Sequence, residues 1–375
     1  MDSTDVGSLP LEGDRDRFLR GASHAKEAKS KLNEETLRDV VYFEATVTHG
    51  LLDKLGAGLT VPTYPQFRDM NEMFLKMIGG VVKVEGGYVM AETPTVEDAC
   101  IPEVYVIKNR VGEIEEAVGE PFRMRVCVTG PHTLSHLFAY RNADLFVQLS
   151  EALAKIAGGS IFRSKHGGVE VLTLDEPLLG VVDDPLLDYG SEGRDSLRDA
   201  WERIYGKAEA KGVKTCMHIH SSADPLFWDV KHLRLIEAHV DAPIYKTEKT
   251  KKLLEANDKF LVATLCHTQF DELVRAKLRQ QLGRAPETTL TEKLGEIWAG
   301  IRRGKVDPTQ YLEDREVMEK RLGTVVRLFG VERIPLAGPE CGLGGFPTYK
   351  TAITYLNRVA SVVRRFRGDG GPAGI

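Results

Sequence analysis

The stretch that decides the fold consists of Val169–Pro177, with the sequence VEVLTLDEP, and Val213–His220, with the sequence VKTCMHIH. Val169–Leu174 and Val213–His220 are short apolar runs of the kind that forms buried strands. The amphipathic segment Asp195–Lys211 between them is typical of a surface helix. Because parallel neighbours need a long crossover, this order of strand, helix and strand predicts a parallel βαβ unit.

The same alternation continues along most of the chain. About eight strand–helix units fit, and eight is the number that closes a barrel. The sequence therefore predicts one α/β domain over residues 1–367 with the TIM (β/α)8 barrel fold, and a doubly wound open sheet is the alternative. The other apolar runs are Val6–Ser8, Leu59–Val61, Arg123–Thr129, Ala242–Thr247, Phe260–Cys266 and Ile334–Ala337, and the other helical patterns are Asp144–Ile161, Pro225–Ala238, Phe270–Leu282, Glu313–Leu328 and Tyr349–Phe366.

Three segments depart from this alternation of strands and helices. Gly79–Val89 combines paired glycines with valines and predicts an inserted hairpin. Gly283–Gln310 is a charged helical insertion, which could be a lid, a subunit contact or a surface decoration. Gly368–Ile375 is glycine-rich and is expected to be a disordered tail.

The composition of the chain indicates which classes of binding partner and which cellular compartment to expect. The chain has 375 residues and a formal net charge of -5, so it lacks the basic patch expected of a nucleic-acid or anionic-membrane partner. Met1–Asp16 is acidic and has no apolar core, and no apolar run approaches the roughly 20 residues of a membrane span. We therefore expect a cytoplasmic protein. Its five scattered cysteines are expected to be reduced thiols or metal ligands.

Polar residues at the predicted strand ends suggest a metal site. Cys216, His218 and His220 alternate along one strand and therefore share a face, and two such imidazoles can hold one ion. A single His-x-His is more often a hydrogen-bonded core histidine beside an exposed one.

Two further groups come from other strand ends. Glu248 follows the predicted strand Ala242–Thr247, although alone it would be a glutamate favoured at a helix start. Cys341 lies in the glycine-rich loop Gly338–Gly344. Together with His218 and His220, these residues predict a tetrahedral zinc site, because thiolate and imidazole ligands disfavour magnesium and calcium.

Other strand ends carry candidate substrate and acid–base groups. Asp175 and Glu176 end one strand, and one of these acids can face the barrel mouth, although a helix-capping loop is equally compatible. His267 could be an acid or base, or an ordinary loop histidine. Two turn motifs, Gly7-Ser8 and Gly130-Pro131-His132, could offer backbone N–H groups to an anion.

The order of these motifs resembles the cobalamin-independent methionine synthase family, specifically its C-terminal catalytic barrel and the stand-alone archaeal and bacterial core enzymes. The resemblance extends from Val6-Gly7-Ser8-Leu9-Pro10 to Pro339-Glu340-Cys341-Gly342-Leu343. It implies a zinc-dependent methyl transfer to homocysteine, giving methionine. It implies zinc ligands at His218, His220, Glu248 and Cys341, substrate binding by Gly7, Ser8, Asp175 and Glu176, and catalytic roles for His267 and Asp175.

The sequence departs from this family in three respects. His220 stands where the family usually has a cysteine, and Cys216 could substitute for it. The family has a glutamate that pairs with the homocysteine amino group, but no carboxylate occurs at the corresponding place, Thr63–Gln66. Arg68 nearby would suit a sulfonate or carboxylate on the substrate. We expect the protein to lack the family's folate-binding N-terminal barrel. This favours a methylcobamide, or a corrinoid protein carrying one, as methyl donor over polyglutamyl folate.

Three other functions are compatible with parts of the pattern. Zinc-dependent alkyl transfer to coenzyme M, from a methylcobamide or an epoxide, would explain the missing carboxylate. A barrel of the porphyrinogen-decarboxylase type would need no metal. A zinc- or corrinoid-binding carrier is disfavoured because the sequence has no Asp-x-His-x-x-Gly corrinoid fingerprint.

Overall fold

A computed structural model describes residues 1–367, so the predicted disordered tail Gly368–Ile375 lies outside the described residues. The strands are β1 (Asp2–Ser3), β2 (Gly79–Val84), β3 (Gly87–Thr95), β4 (Phe122–Thr129), β5 (Gly167–Glu176), β6 (Lys214–Ile219), β7 (Leu235–Ala238), β8 (Phe260–Thr264) and β9 (Leu336–Gly338). The helices are α1 (Arg15–His24), α2 (Glu34–Gly56), α3 (Glu72–Leu75), α4 (Pro102–Asn109), α5 (Val111–Val118), α6 (Pro131–Ser135), α7 (Ala143–Ser160), α8 (Glu192–Glu209), α9 (Glu248–Ala256), α10 (Phe270–Leu282), α11 (Glu287–Arg302), α12 (Arg315–Phe329) and α13 (Tyr349–Arg367).

Seven parallel strands form a curled sheet, a half-barrel flanked by helices, in the order β1-β9-β8-β7-β6-β5-β4. From β4 to β9 the neighbours follow chain order, which excludes the doubly wound alternative because that fold reverses direction at a switch point. Val61 and Thr63 make single parallel bridges, to Thr4 beyond β1 and to Arg125 in β4. Pro62 lies between them and has no N–H to donate, so this segment forms bridges and not a regular strand.

The concave side of the sheet holds an apolar layer. One buried residue from each of five strands joins Val61 in this layer, because alternate strand residues point to the same side. The layer consists of Val61, Val171, Cys216, Leu235, Val262 and Leu336.

The helices form because their apolar residues recur on one face. In α7, Leu145, Leu149 and Leu153 are buried at a spacing of four. The Asn142 side chain accepts a hydrogen bond from the Leu145 backbone N–H and caps the helix. α7 packs on α8 outside the sheet, which leaves the strand ends free to carry polar groups.

The predicted insertions are present at the periphery. β2 and β3 form an antiparallel hairpin, and Tyr88 of this hairpin bridges to Phe138. The segment Gly283–Gln310 contains α11, whose Trp298 packs edge-on against Phe270 of α10. None of the described helices combines the length and the apolar character that a membrane span requires.

Two strand predictions are wrong. Ala242–Thr247 contains a 3-10 turn at Pro243–Tyr245, and Thr247 caps α9. The true strand is β7, which lies within the predicted helix Pro225–Ala238. Periodicity cannot separate a four-residue buried strand from a helix turn, which explains the error. The first strand also lies earlier than Val6–Ser8, at β1.

Candidate metal centre

Four ligand side chains converge at the carboxyl ends of three strands of the sheet, β6, β7 and β9. His218 is in β6, His220 follows that strand, His239 follows β7, and Cys341 follows β9. Their ligand atoms all lie within 4.8 Å of one another. Cys341 Sγ is 3.7 Å from His220 Nε2, and the His220 and His239 ring centroids are 4.0 Å apart. We call these four residues the mouth cluster.

Strand register explains why these residues meet. His218 pairs with Asp175 of β5 on one side and with Glu237 of β7 on the other. His220 and His239 each lie two residues beyond members of that row and therefore point to the same side. The strand period of two thus places a second row of groups directly above the first.

The electrostatics favour a thiolate at Cys341. Burial alone would raise the pKa of this thiol, but the imidazoles of His218, His220 and His239 hold it well below its usual value. Burial also lowers the pKa of His220, which keeps that ring neutral and able to ligate. A thiolate among imidazoles is the ligand chemistry of zinc.

Unsatisfied buried atoms show that the mouth cluster fits a metal. Within residues 1–367, both ring nitrogens of His218 and Nε2 of His239 are buried without a hydrogen-bond partner. His218 Nδ1 lies 3.6 Å from Glu237 Oε2, which is an ion-pair distance and too long for a hydrogen bond. Buried imidazole nitrogens left without partners are costly, and a bound cation would take one nitrogen of each ring.

Glu248 does not join this cluster. It is the first residue of α9 and is exposed, so it occupies the helix-start position. The strand that was expected to deliver it is replaced by β7, which ends at Ala238 and delivers His239 instead. Cys216 also stays apart, because it is buried in the apolar layer, where burial raises its pKa to about 12.

The two predicted acids of β5 point in different directions. Asp175 is buried beside His218, and its Oδ1 accepts no hydrogen bond from any residue up to 367. Burial raises the pKa of Asp175 to about 7, against the opposing charge of His218.

Glu176 faces away from the mouth cluster and anchors α6. Its carboxylate accepts hydrogen bonds from the His132 and Thr133 backbone N–H groups, the Thr133 hydroxyl and the Trp201 indole, at 2.7 to 3.0 Å. A Cβ at Gly130 would collide with this carboxylate. The anion held by the Gly130-Pro131-His132 turn is therefore the chain's own Glu176.

Gly7 and Ser8 lie against the Cys341 loop. Ser8 Oγ accepts a hydrogen bond from the Gly344 N–H at 3.2 Å, and the Ser8 carbonyl accepts one from Leu343 at 2.9 Å. A Cβ at Gly342 would collide with Ser8 Oγ, so glycine is required for this close approach. The sequence pattern did not reveal Lys54, which is fully buried and donates to Asp5, Gly7 and Thr63.

His267 lies at the same mouth and shares Glu340 with its neighbours. The Glu340 carboxylate lies 3.2 Å from His267 Nδ1 and raises the pKa of that ring. Glu340 also accepts from the Val240 and Thr268 backbone N–H groups. It therefore ties together the loops after β7, β8 and β9, a role that its sequence position did not indicate. His239, His267 and Glu340 line a cavity of about 650 Å³.

Comparison with known proteins shows the fold. No family model and no curated protein sequence matches the chain. Among solved structures, a B12-independent methionine synthase from Shewanella sp. W3-18-1 in complex with selenomethionine is similar over 98% of each chain, with a TM-score of 0.61 and 15% identity. A Xaa-Pro dipeptidase with bound methionine aligns with 96% of this chain over 76% of the dipeptidase chain, at 11% identity. Its TM-score of 0.36 is too low to support an argument.

Proposed function

We propose that this chain is a zinc-dependent methyltransferase that methylates the sulfur of homocysteine. The observation that supports the proposal most strongly is the mouth cluster, with three imidazoles and one thiolate directly beside the buried carboxylate of Asp175. A zinc ion held there would lower the pKa of an incoming thiol and leave its sulfur able to attack an electrophilic methyl group. The full-length similarity in fold to a methionine synthase is consistent with this chemistry.

The chain's own residues would orient the substrate. Asp175 offers a buried carboxylate to an ammonium group, a charge-assisted hydrogen bond that fixes an amino-acid substrate. Ser8 and the glycine-rich loop after β9 form the adjacent wall, where small residues let a substrate approach the backbone. Burial of Asp175 keeps water from competing for the substrate's charge.

Arg68 bears on the choice between homocysteine and coenzyme M. Its guanidinium makes a bidentate pair with the buried Glu103 carboxylate, at 2.7 and 2.6 Å. Arg68 is therefore neutralised and is not offered to a sulfonate. This removes the cation that would have suited the sulfonate of coenzyme M, while the missing carboxylate in Thr63–Gln66 remains. The acid at Asp175 favours a substrate with an amino group.

The methyl donor is proposed to approach from the cavity beside His239. A cavity of about 650 Å³ suits a drug-sized molecule, whereas a whole corrinoid is much larger. We therefore propose that a methylcobamide, carried by a partner protein or free, presents its methyl face over this opening.

We also propose that Val61 and Thr63 close the sheet into an eight-stranded barrel, since they bridge its two edges.

Acceptor selectivity tests this function. With zinc-loaded protein and methylcobalamin, we expect methionine to form from homocysteine, and Asp175→Asn to lower kcat/KM for homocysteine by about 10- to 100-fold. One charged hydrogen bond is worth about 1.5–3 kcal/mol, which gives that range. Methyl transfer to coenzyme M serves as the control reaction, and Asp175→Asn should leave any such activity unchanged. Faster formation of methyl-coenzyme M than of methionine by the unmodified protein would contradict the proposal.

A second prediction concerns the proton held by His267. If this imidazolium stabilises the negative charge that develops on the donor's leaving group as the methyl group departs, His267→Gln should reduce kcat by about 10²- to 10³-fold, the usual effect of removing one such group, without loss of zinc. His232→Gln is the matched control, because His232 also contacts a carboxylate, Glu209, but lies before the start of β7. Equal kcat values for the two variants would exclude the role given to His267.

A further inference from the structure

A second group of metal-ligand residues lies outside the mouth cluster. His132 is in α6, His136 caps its carboxyl end, and Asp184 lies in the loop after β5. The histidines are four residues apart, so both face the same side of the helix and meet Asp184. We call these three residues the α6 cluster. The motif that contains His132 was expected to bind an anion through its backbone N–H groups, and the anion that these groups bind is the carboxylate of Glu176.

The distances in the α6 cluster match the edges of a metal coordination polyhedron. His132 Nε2 is 3.1 Å from Asp184 Oδ2 and 3.2 Å from His136 Nε2, and His136 Nε2 is 3.5 Å from the same Asp184 oxygen. Ligands at the zinc–nitrogen distance of 2.0–2.1 Å in a tetrahedron are separated by about 3.3–3.4 Å. One ion can therefore contact all three atoms with only small movements of the side chains.

Hydrogen bonding alone leaves this arrangement poorly satisfied. A neutral imidazole carries a proton on only one of its two ring nitrogens. If His132 Nε2 carries that proton and donates it to Asp184, the same nitrogen has no lone pair with which to accept a hydrogen bond from His136. Neutral imidazole is the form that binds metal.

The surroundings suit a small cation with limited access. The side chains of His132 and Asp184 are 0% and 1% exposed, whereas His136 is 17% exposed and provides an opening for an ion and a water ligand. Arg141 forms an ion pair with Asp184 and orients its carboxylate from outside the cluster. The positive charge of Arg141 lowers the affinity of the cluster for any cation. Only an ion that binds strongly to the two imidazole nitrogens would therefore be held.

We infer that the α6 cluster is a second metal site, which binds a divalent first-row transition ion, most readily zinc, through His132, His136 and Asp184. Two imidazoles and one carboxylate suit zinc, and water would complete a tetrahedral set. The ion would join α6 to the loop after β5. Because Glu176 of β5 already anchors α6, the site would fix the wall of the mouth that Asp175 occupies. The inference does not depend on the proposed methyl transfer.

Metal titration of the full-length protein tests this inference. After chelator treatment and dialysis, Co²⁺ is added to the unmodified protein and to the variants His136→Gln, Cys341→Ser and the double variant. We expect two, one, one and no equivalents of tightly bound cobalt, respectively. The mouth cluster contains sulfur, so only cobalt bound there should give a thiolate charge-transfer band. His136→Gln should keep this band, and Cys341→Ser should lose it while retaining one equivalent.

Thermal unfolding gives a second readout and guards against misfolded variants. Zinc should raise the Tm of Cys341→Ser, because a ligand that binds only the native state stabilises it, and it should not raise the Tm of the double variant. The same stoichiometry in His136→Gln as in the unmodified protein, or no zinc-dependent Tm change in Cys341→Ser, would overturn the second site. Failure of the first centre would appear differently, as unchanged binding and spectrum in Cys341→Ser.

Discussion

Replacing Cys341 with serine is expected to abolish methyl transfer and to remove the metal of the mouth cluster. Cys341 is the only sulfur ligand among the four residues of this cluster, and its thiolate charge balances the ion. Metal polarisation supplies several kcal/mol of transition-state stabilisation, so its loss should slow turnover on the order of a thousandfold or more. Metal content and kcat, measured on the same preparation, check this result.

The pair His239→Ala and Glu248→Ala separates the observed cluster from the one expected from sequence. His239 lies 4.0 Å from His220 between ring centroids, whereas Glu248 is exposed at the start of α9. His239→Ala should therefore behave like the Cys341 variant. Glu248→Ala should change neither metal content nor kcat, and should alter stability by no more than about 0.5 kcal/mol, as surface substitutions do. The reverse outcome would show that the ligand set proposed here is incorrect.

Sequence reasoning reached His218, His220 and Cys341 because two simple rules apply to them. Side chains alternate along a strand, and the carboxyl ends of parallel strands gather at one edge of the sheet. Long apolar runs marked β5 and β6 clearly, so the residues at their ends could be placed together. The same rules predicted that one acid of the Asp175–Glu176 pair could face the mouth, and the observed register pairs Asp175 with His218.

The same rules failed where a strand is short or a contact is distant in sequence. β7 has only four residues, so its signal merged with the preceding helical pattern and His239 was missed. No local pattern could reveal that Lys54 reaches the backbone of Gly7, 47 residues away. Nor could the sequence show that Glu340, in the loop after β9, joins three loops, because its partners follow two other strands, β7 and β8.

Breaking the buried Arg125–Glu237 ion pair is expected to destabilise the protein strongly. Both side chains are 0% exposed, and Arg125 Nη2 lies 2.5 Å from Glu237 Oε2 across the inside of the sheet. Removing one partner leaves a buried charge without compensation, which typically costs about 3–5 kcal/mol. Arg125→Met and Glu237→Leu should each lower the free energy of unfolding, measured with urea, by that amount. The exposed pair Arg365–Glu319 is the control, and Arg365→Ala should cost at most about 1 kcal/mol.

The double variant Arg125→Met, Glu237→Leu distinguishes a charge effect from a packing effect. With both charges gone, most of the lost stability should return, since apolar replacement of a buried pair is often neutral or stabilising. Zinc affinity should not return with it, because Glu237 lies 3.6 Å from His218 Nδ1 and removing a carboxylate behind a metal-ligating histidine usually costs about 10- to 100-fold. A double variant as unstable as the sum of the single variants would mean that the pair is needed for packing. Unchanged zinc affinity in Glu237→Leu would show instead that Glu237 does not support the metal centre through His218.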